Sequence, residues 1–412
     1  MLPVSQPRPS ASVVGGGPAG LMAAEVLLAS GFEVTVFDQM RSVGRKFLLA
    51  GRGGLNLTHS EPLDSFLDRY GPQRSRLEAA VRAFGPEDLR DWSETLGEPC
   101  FTGSSGRVFP ESHRSTPLLR AWLTRLRDGG VSFATQHRWV GWREDFAALR
   151  FSSAEEPAVE VECDVTIFAL GGASWPRSGS DGGWVETFRD VDVAVASLHP
   201  ANGGLRIEWT QHFADRFAGV PLKNIAISAG GSPVRGDAMI TATGIEGGPV
   251  YAHSASVRET VANGCGQIVI DLQPDLSLER LTDRLEGRRR PKDSLSTWLR
   301  RSGFDAVSIS LLREVTANSV PIASRELAAL AKTATLDVKS FMPIDRAISS
   351  AGGVLFKELD DSFMLHCMPG TFVVGEMLDW EAPTGGYLLQ GCFSTAVTAA
   401  RAAKQWVELK DC

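Results

Sequence analysis

The sequence predicts an α/β protein in which a leading β–turn–α–β unit is completed by a segment near the C-terminus, with a second domain inserted between the two. Three observations predict it. A short apolar strand, Ala11–Val14, runs into Gly15-Gly16-Gly17-Pro18-Ala19-Gly20 and then an Ala/Leu-rich stretch. Two further apolar runs, Val165–Leu170 and Thr371–Gly375, have the texture of buried parallel strands and end in glycine. Between about 196 and 344 the pattern changes to mixed strands and charged amphipathic helices. Connections within α/β sheets are short, so a gap of this size implies an inserted domain.

The elements follow in order. A helix is expected over Leu21–Ser30, with Gly31 just past its last turn, and a strand over Phe32–Phe37 ending at Asp38. Pro86 opens a helix that Gly97 closes. Thr116 reads as the N-cap of another, with Pro117 at its first position and Gly129-Gly130 at its end. Residues 131 to 170 read as short strands. In the insert, Ile225–Ser228, Met239–Thr243 and Gln267–Leu272 read as strands, and Leu278–Arg288, Leu295–Arg301 and Ile322–Ala331 as helices. A long helix over Gly386–Ala403 closes the chain.

Composition bounds the rest. With 43% hydrophobic and 22% charged residues in 412, the chain can bury a large core. A net charge of −7 argues against a broad phosphate-binding surface, so no nucleic-acid partner is expected. The six cysteines form no C-x-x-C pair, which argues against a disulfide framework or zinc site and for a reducing, cytoplasmic compartment. The first ten residues read as a disordered tail without the apolar core of a signal peptide, and no apolar run is long enough to span a bilayer.

Gly15-x-Gly17-x-x-Gly20 lies between a strand and a helix, which gives each glycine a task. The first permits the tight turn, the second lets a pyrophosphate reach the backbone, and the third lets helix and strand pack closely. The phosphates would sit on the helix N-terminus. Asp38, 23 positions after Gly15, ends the second strand where a carboxylate accepts hydrogen bonds from ribose hydroxyls. A second glycine-rich strand–turn–helix, Val373–Glu376 followed by Asp379 and Thr384-Gly385-Gly386-Tyr387, supplies another wall. A cofactor as long as FAD needs such a wall more than NAD does. The helix N-terminus beside it would favour negative charge on a reduced flavin ring.

These motifs resemble a family of bacterial flavoproteins labelled aminoacetone oxidase family FAD-binding enzyme, or NAD(P)/FAD-dependent oxidoreductase, within the glutathione-reductase-like FAD fold. The resemblance rests on GGGPAG with Asp38, on Gly44-Arg45-Lys46 followed by Gly51 to Thr58, on Gly106 to Pro110 with Gly171 to Pro176, and on Gly375-Glu376-x-x-Asp379 with Thr384 to Tyr387. Where much of the family has GRCN, this chain has Gly53-Gly54-Leu55-Asn56, and Leu388 stands where asparagine is usual. The resemblance implies a discontinuous Rossmann-type FAD domain, 1–195 with 345–412, and a β-barrel-like, partly helical insert over 196–344. It implies an FAD-dependent oxidoreductase that passes a hydride between flavin N5 and a small organic substrate, with O2 or NAD(P)H as redox partner; because ligand sites favour domain interfaces, the substrate is expected in the crevice between the domains. The cofactor would be held by Gly15, Gly17, Pro18, Ala19, Gly20, Asp38, Gln39, Arg45, Lys46, Gly53, Asn56, the backbone near Trp139, Ala169, Gly171, Gly375, Glu376, Asp379, Gly385, Gly386, Tyr387 and Leu388.

No catalytic acid or base is assigned. His113 and Arg114 follow the GRVFP segment and either face the flavin or serve packing; Trp175 and Arg177 lie in a glycine-rich loop with the same two readings. Arg288-Arg289-Arg290 with Lys292 reads as a basic helix end that complements the helix dipole. Cys392 reads as a small buried residue. Other FAD folds serve tRNA modification or regulation without turnover, and these stand as alternatives.

Overall fold

The computed structural model describes residues 8–153 and 158–410. Most of the expected N-terminal tail lies outside them. The chain divides into two compact units, one formed by residues 1–199 and 349–412, the other by 200–348. These limits fall four residues C-terminal of the sequence expectation at both ends. Elements used below are β1 (Ser10–Val14), α1 (Pro18–Ala29), β2 (Glu33–Asp38), α2 (Arg45–Ala50), β3 (Ser132–Thr135), β4 (Val165–Phe168), α3 (Leu278–Arg288), α4 (Leu295–Arg301), β5 (Thr371–Val373) and α5 (Tyr387–Lys410).

The first unit is built on a five-stranded parallel sheet in the order β5-β4-β1-β2-β3. Its central strands are short and apolar because both faces are covered: Val13, Val36 and Ile167 are fully buried. Helix α1 is also buried nearly all round, from Ala19 to Ala24 and at Leu27. It has no polar face because α5 packs beside it while the sheet lies on its other side. The C-terminal helix therefore belongs to the same core as the glycine turn, more than 360 positions upstream. This is an α/β Rossmann-like fold elaborated by additional sheets and helices.

The second unit has its own hydrophobic core. Its seven-stranded antiparallel sheet begins and ends with the strands Ala334–Asp337 and Ser340–Phe341. These two edge strands are separated only by Val338 and Lys339, so the sheet curls back toward itself. Helices α3 and α4, with Ala306–Val315 and Ser324–Lys332, complete the unit.

Several helix starts differ from the sequence reading: α1 begins at Pro18 rather than Leu21, and α5 at Tyr387 rather than Gly386. The helix expected to be capped by Thr116 begins at Ser115, so Thr116 lies inside its first turn and no side chain caps it. The helix expected from Ile322 begins at Ser324, after Ala323 in extended backbone. The segment Ala306–Val315 also forms a helix, capped by Asp305.

Candidate active site

The three glycines of the first turn meet different surroundings. A Cβ on Gly15 would lie 2.3 Å from the Ala169 carbonyl oxygen, and Gly15 has φ +109°. A Cβ on Gly20 would lie 1.9 Å from the Gly15 oxygen, so this glycine lets α1 rest on the turn. Gly17 is different: nothing lies within 4 Å of its Cβ position. It opens a helix with no side-chain cap and no acidic residue in its first turn. The N–H groups of Ala19 and Gly20 have no preceding turn of helix to bond to, and Pro18 has none to offer. The turn thus presents backbone donors beside free space, which suits a phosphate.

Asp38 stands next to it. One carboxylate oxygen accepts the Gly16 N–H at 2.8 Å and the other the Met40 N–H at 2.7 Å. Each oxygen keeps a further lone pair. Burial raises the Asp38 pKa, opposed by those two N–H groups and by the charge of Arg45. Beyond Asp38 a cleft is lined by Val14, Phe37, Gln39, Trp139, Gly179 and Trp184. The Gln39 amide donates to the Gly179 carbonyl at 2.7 Å and accepts from Arg138 at 2.8 Å. Trp139 packs edge-on against Phe168 and Phe188, and its indole N–H is buried without a partner. Trp184 donates to the carbonyl of Gly171, whose φ is +73°.

A second cluster joins segments far apart in the chain. Lys46, on α2, donates to Glu376 at 2.6 Å and to the Ser174 hydroxyl at 2.7 Å. Glu376 is only 7% exposed, and its other oxygen accepts the Ser350 N–H at 2.8 Å. The Ser350 hydroxyl in turn accepts the Ala173 N–H at 2.8 Å. Gly375 leaves no room for a side chain, since its Cβ would lie 2.8 Å from that of Ala19. The GE segment is therefore seated directly on the start of α1. Ser174 lies in the Gly171 to Pro176 motif but was given no role from the sequence; Ser350 carries no local signal, because it is placed only by the return of the chain from the second unit.

The C-terminal glycine turn is fixed as tightly. A Cβ on Gly386, at φ +94°, would lie 2.5–2.7 Å from the Thr58 backbone. The Tyr387 carbonyl accepts from the buried Tyr70 hydroxyl at 2.9 Å, while its own hydroxyl donates to Glu61 at 2.5 Å. Arg69 forks onto Glu61 at 2.7 and 3.0 Å, and His59 stacks on the Tyr387 ring. The Tyr387 hydroxyl is thus committed within the protein, and Leu388 packs against the core. Asp379 bonds through its N–H to Val354 and is half-buried, with its pKa raised by burial and then by Glu381.

The loop 51–56 completes the set. Gly53 has open space at its Cβ position, and the buried Asn56 side-chain oxygen has no partner. His113 adopts φ +55° and lies against Phe101 and Phe109, beside Gly54. Trp175, also at positive φ, is 39% exposed. Cys392 is buried, its thiol pushed up to about 12 by burial and then by Glu376, which removes it from thiolate chemistry at neutral pH. Among the described residues no group of three or more His, Cys, Asp or Glu side chains could hold a metal, and no helix is long and apolar enough to cross a membrane.

Comparison with known proteins places this geometry. A family model described as "HI0933-like protein Rossmann domain" matches residues 9–402. The chain is 26% identical to a 3-dehydro-bile acid delta(4,6)-reductase of Clostridium scindens over 95% of its length and 98% of the relative's. It is 23% identical to a ribosomal RNA dihydrouridine synthase of Escherichia coli over 96% and 98%. Among solved structures, a flavocytochrome c3 fumarate reductase superposes with a TM-score of 0.53 at 13% identity, over 97% of this chain and 78% of that one. The matches support an FAD-binding Rossmann-type oxidoreductase family; the aminoacetone oxidase label is narrower than they reach.

Proposed function

On the premise that the chain belongs to the HI0933-like Rossmann family, we propose that it is an FAD-dependent reductase of a carbon–carbon double bond conjugated to a carbonyl group. The observation that carries the cofactor is the open position at Gly17, over an uncapped helix start and beside Asp38. For the reaction, the support lies in what two relatives share. A delta(4,6)-reductase and a dihydrouridine synthase, by their names, both saturate a double bond, one in a steroid acid and one in a nucleobase.

The residues then take these roles. The N–H groups at the start of α1 hold the pyrophosphate, and Asp38 takes the ribose hydroxyls. The cleft between Gln39, Trp139 and Trp184 receives the adenine. Asn56, with its unpaired amide oxygen, accepts from an N–H of the flavin ring. Lys46 and Glu376 hold the segments that flank the ring in register. Tyr387 acts as a positioning residue, because its hydroxyl and carbonyl are both engaged. When bound and reduced by NAD(P)H, the flavin would supply a hydride to the carbon β to the carbonyl, and the proton that completes saturation at the α carbon would come from solvent.

The protein should purify yellow and release FAD, not FMN, on denaturation. Gly17→Val should leave the protein soluble and strip it of flavin, since the added side chain occupies the space a phosphate needs. Release of FMN alone, or full FAD occupancy in the variant, would place the cofactor elsewhere.

A further inference from the structure

Two glycines at positive φ, Gly385 at +136° and Gly386 at +94°, lead into α5. They have no side chains with which to hold the turn, and glycine has more backbone freedom to lose than any other residue. The next residue does the holding. The Tyr387 ring folds back over Gly385, whose Cβ would lie 2.7 Å from it. That ring packs against Phe66 at 4.8 Å and His59 at 5.4 Å, with the Arg69 guanidinium 5.8 Å from its centre. Its hydroxyl donates to Glu61, 326 positions away, and its carbonyl accepts from Tyr70, 317 positions away.

Glu61 is the hub of this anchor. It lies between the strand Thr58–His59 and the helix Leu63–Asp68, and its side chain is only 12% exposed. Its own N–H donates to the His59 ring at 3.1 Å, so its backbone is fixed as well. Burial opposes the charge of its carboxyl, but the bonds from Arg69 and Tyr387 outweigh that and hold it below the usual carboxylate range. Arg69 bonds both carboxylate oxygens, so the charge of the anchor is balanced where it stands.

What the anchor fixes is the start of α5. Gln390 donates to the Gly386 carbonyl at 3.0 Å, which closes the first turn of the helix. The N–H groups of Tyr387, Leu388 and Leu389 come before that bond and have no preceding turn to donate to, so they carry the positive end of the helix dipole. Their direction is set at Tyr387, which Glu61 clamps by the side chain and Tyr70 by the backbone. Dipoles held in place stabilise a charge without having to reorganise around it.

We propose that Glu61 is a positioning residue that acts through Tyr387 to aim the start of α5 at the flavin, and so makes the flavin easier to reduce. This rests on the reading that Gly385 to Tyr387 border the flavin ring. The ring takes on negative charge when reduced, and helix-end dipoles held toward it favour that form. Pairing with Arg69 keeps the charge of Glu61 from opposing the effect.

The test is the midpoint potential of the bound FAD in the full-length protein, with flavin content and thermal unfolding measured on the same samples. Glu61→Leu and Glu61→Gln remove the same charge, but only glutamine keeps an oxygen that can accept the Tyr387 hydroxyl. The difference between the two therefore reports position and not charge. Glu61→Leu should lower the ratio of reduced to oxidised flavin at a fixed ambient potential by about tenfold, an effect within reach of a partly buried helix terminus; for a two-electron couple this is about 30 mV. Glu61→Gln should recover most of that shift. Tyr387→Phe keeps the packed ring and loses only the hydroxyl; it should shift the potential in the same direction, and it stands in if Glu61→Leu does not fold. Equal potentials in the leucine and glutamine variants overturn the proposal. So does a variant that melts at lower temperature while its flavin keeps the parent's potential, because the anchor is then structural only. A parent protein that holds no FAD overturns the cofactor reading and the proposal with it, whereas FAD-loaded variants that share the parent's potential overturn the proposal alone.

Discussion

Lys46 and Glu376 show what a residue pair far apart in sequence does for the site. Glu376 is buried, and its charge is balanced by one ammonium and one backbone N–H. Removing the ammonium leaves a buried carboxylate uncompensated, which typically costs about 3–5 kcal/mol. The part-exposed Lys46 side chain places the expected loss at the lower end. Lys46→Met should therefore destabilise the protein by about 3 kcal/mol, measured by denaturant unfolding. Lys46→Met combined with Glu376→Gln should recover part of that loss, because no charge then remains buried. Equal stability of the single variant and the parent would mean that the pair is open to water. Both residues were legible in the sequence through the motifs that hold them, but their pairing was not. No local rule relates positions 330 apart, and the hydrogen bond exists only because β5 and α2 converge on the same end of the sheet.

At the scale of elements, the two glycine turns were legible because their demands are local. Gly15 and Gly386 sit at positive φ with backbone atoms where a side chain would stand, so only glycine fits. The start of the helix at Ser115 was misread because Thr116-Pro117 has the composition of a cap while the chain turns helical one residue earlier. The basic run at the end of α3 was read as a complement to the helix dipole, and Arg288 lies in the last turn of α3, as Arg300 and Arg301 do in that of α4. Gly386 offers a test at this scale. Gly386→Ala puts a methyl group against the Thr58 backbone, which cannot yield as a flexible side chain can. The variant should lose most of its bound flavin and unfold at lower temperature, as α5 is pushed from the strand Thr58–His59. Retention of flavin and melting temperature would show that this turn is looser than its contacts indicate.

Taken whole, the molecule is a parallel-sheet unit whose beginning and end meet at one turn, with a second unit carried between them. That arrangement follows from the burial of α1 on both sides, by the sheet and by α5. The fold was legible because buried parallel strands and glycine turns leave strong traces in sequence; the substrate left none, since no single residue pattern encodes it. The central claim concerns what the flavin-loaded protein does to a conjugated double bond. The measurement is anaerobic: reduce the purified flavoprotein with NADH or NADPH, follow the bleaching of the flavin absorbance, then add in separate samples a conjugated steroid enone and ribosomal RNA lacking dihydrouridine. The account predicts that the flavin colour returns without oxygen in at least one sample, with one saturated double bond formed per flavin reoxidised. A reduced flavin that stays bleached in the presence of both, and recovers only when oxygen is admitted, would contradict it.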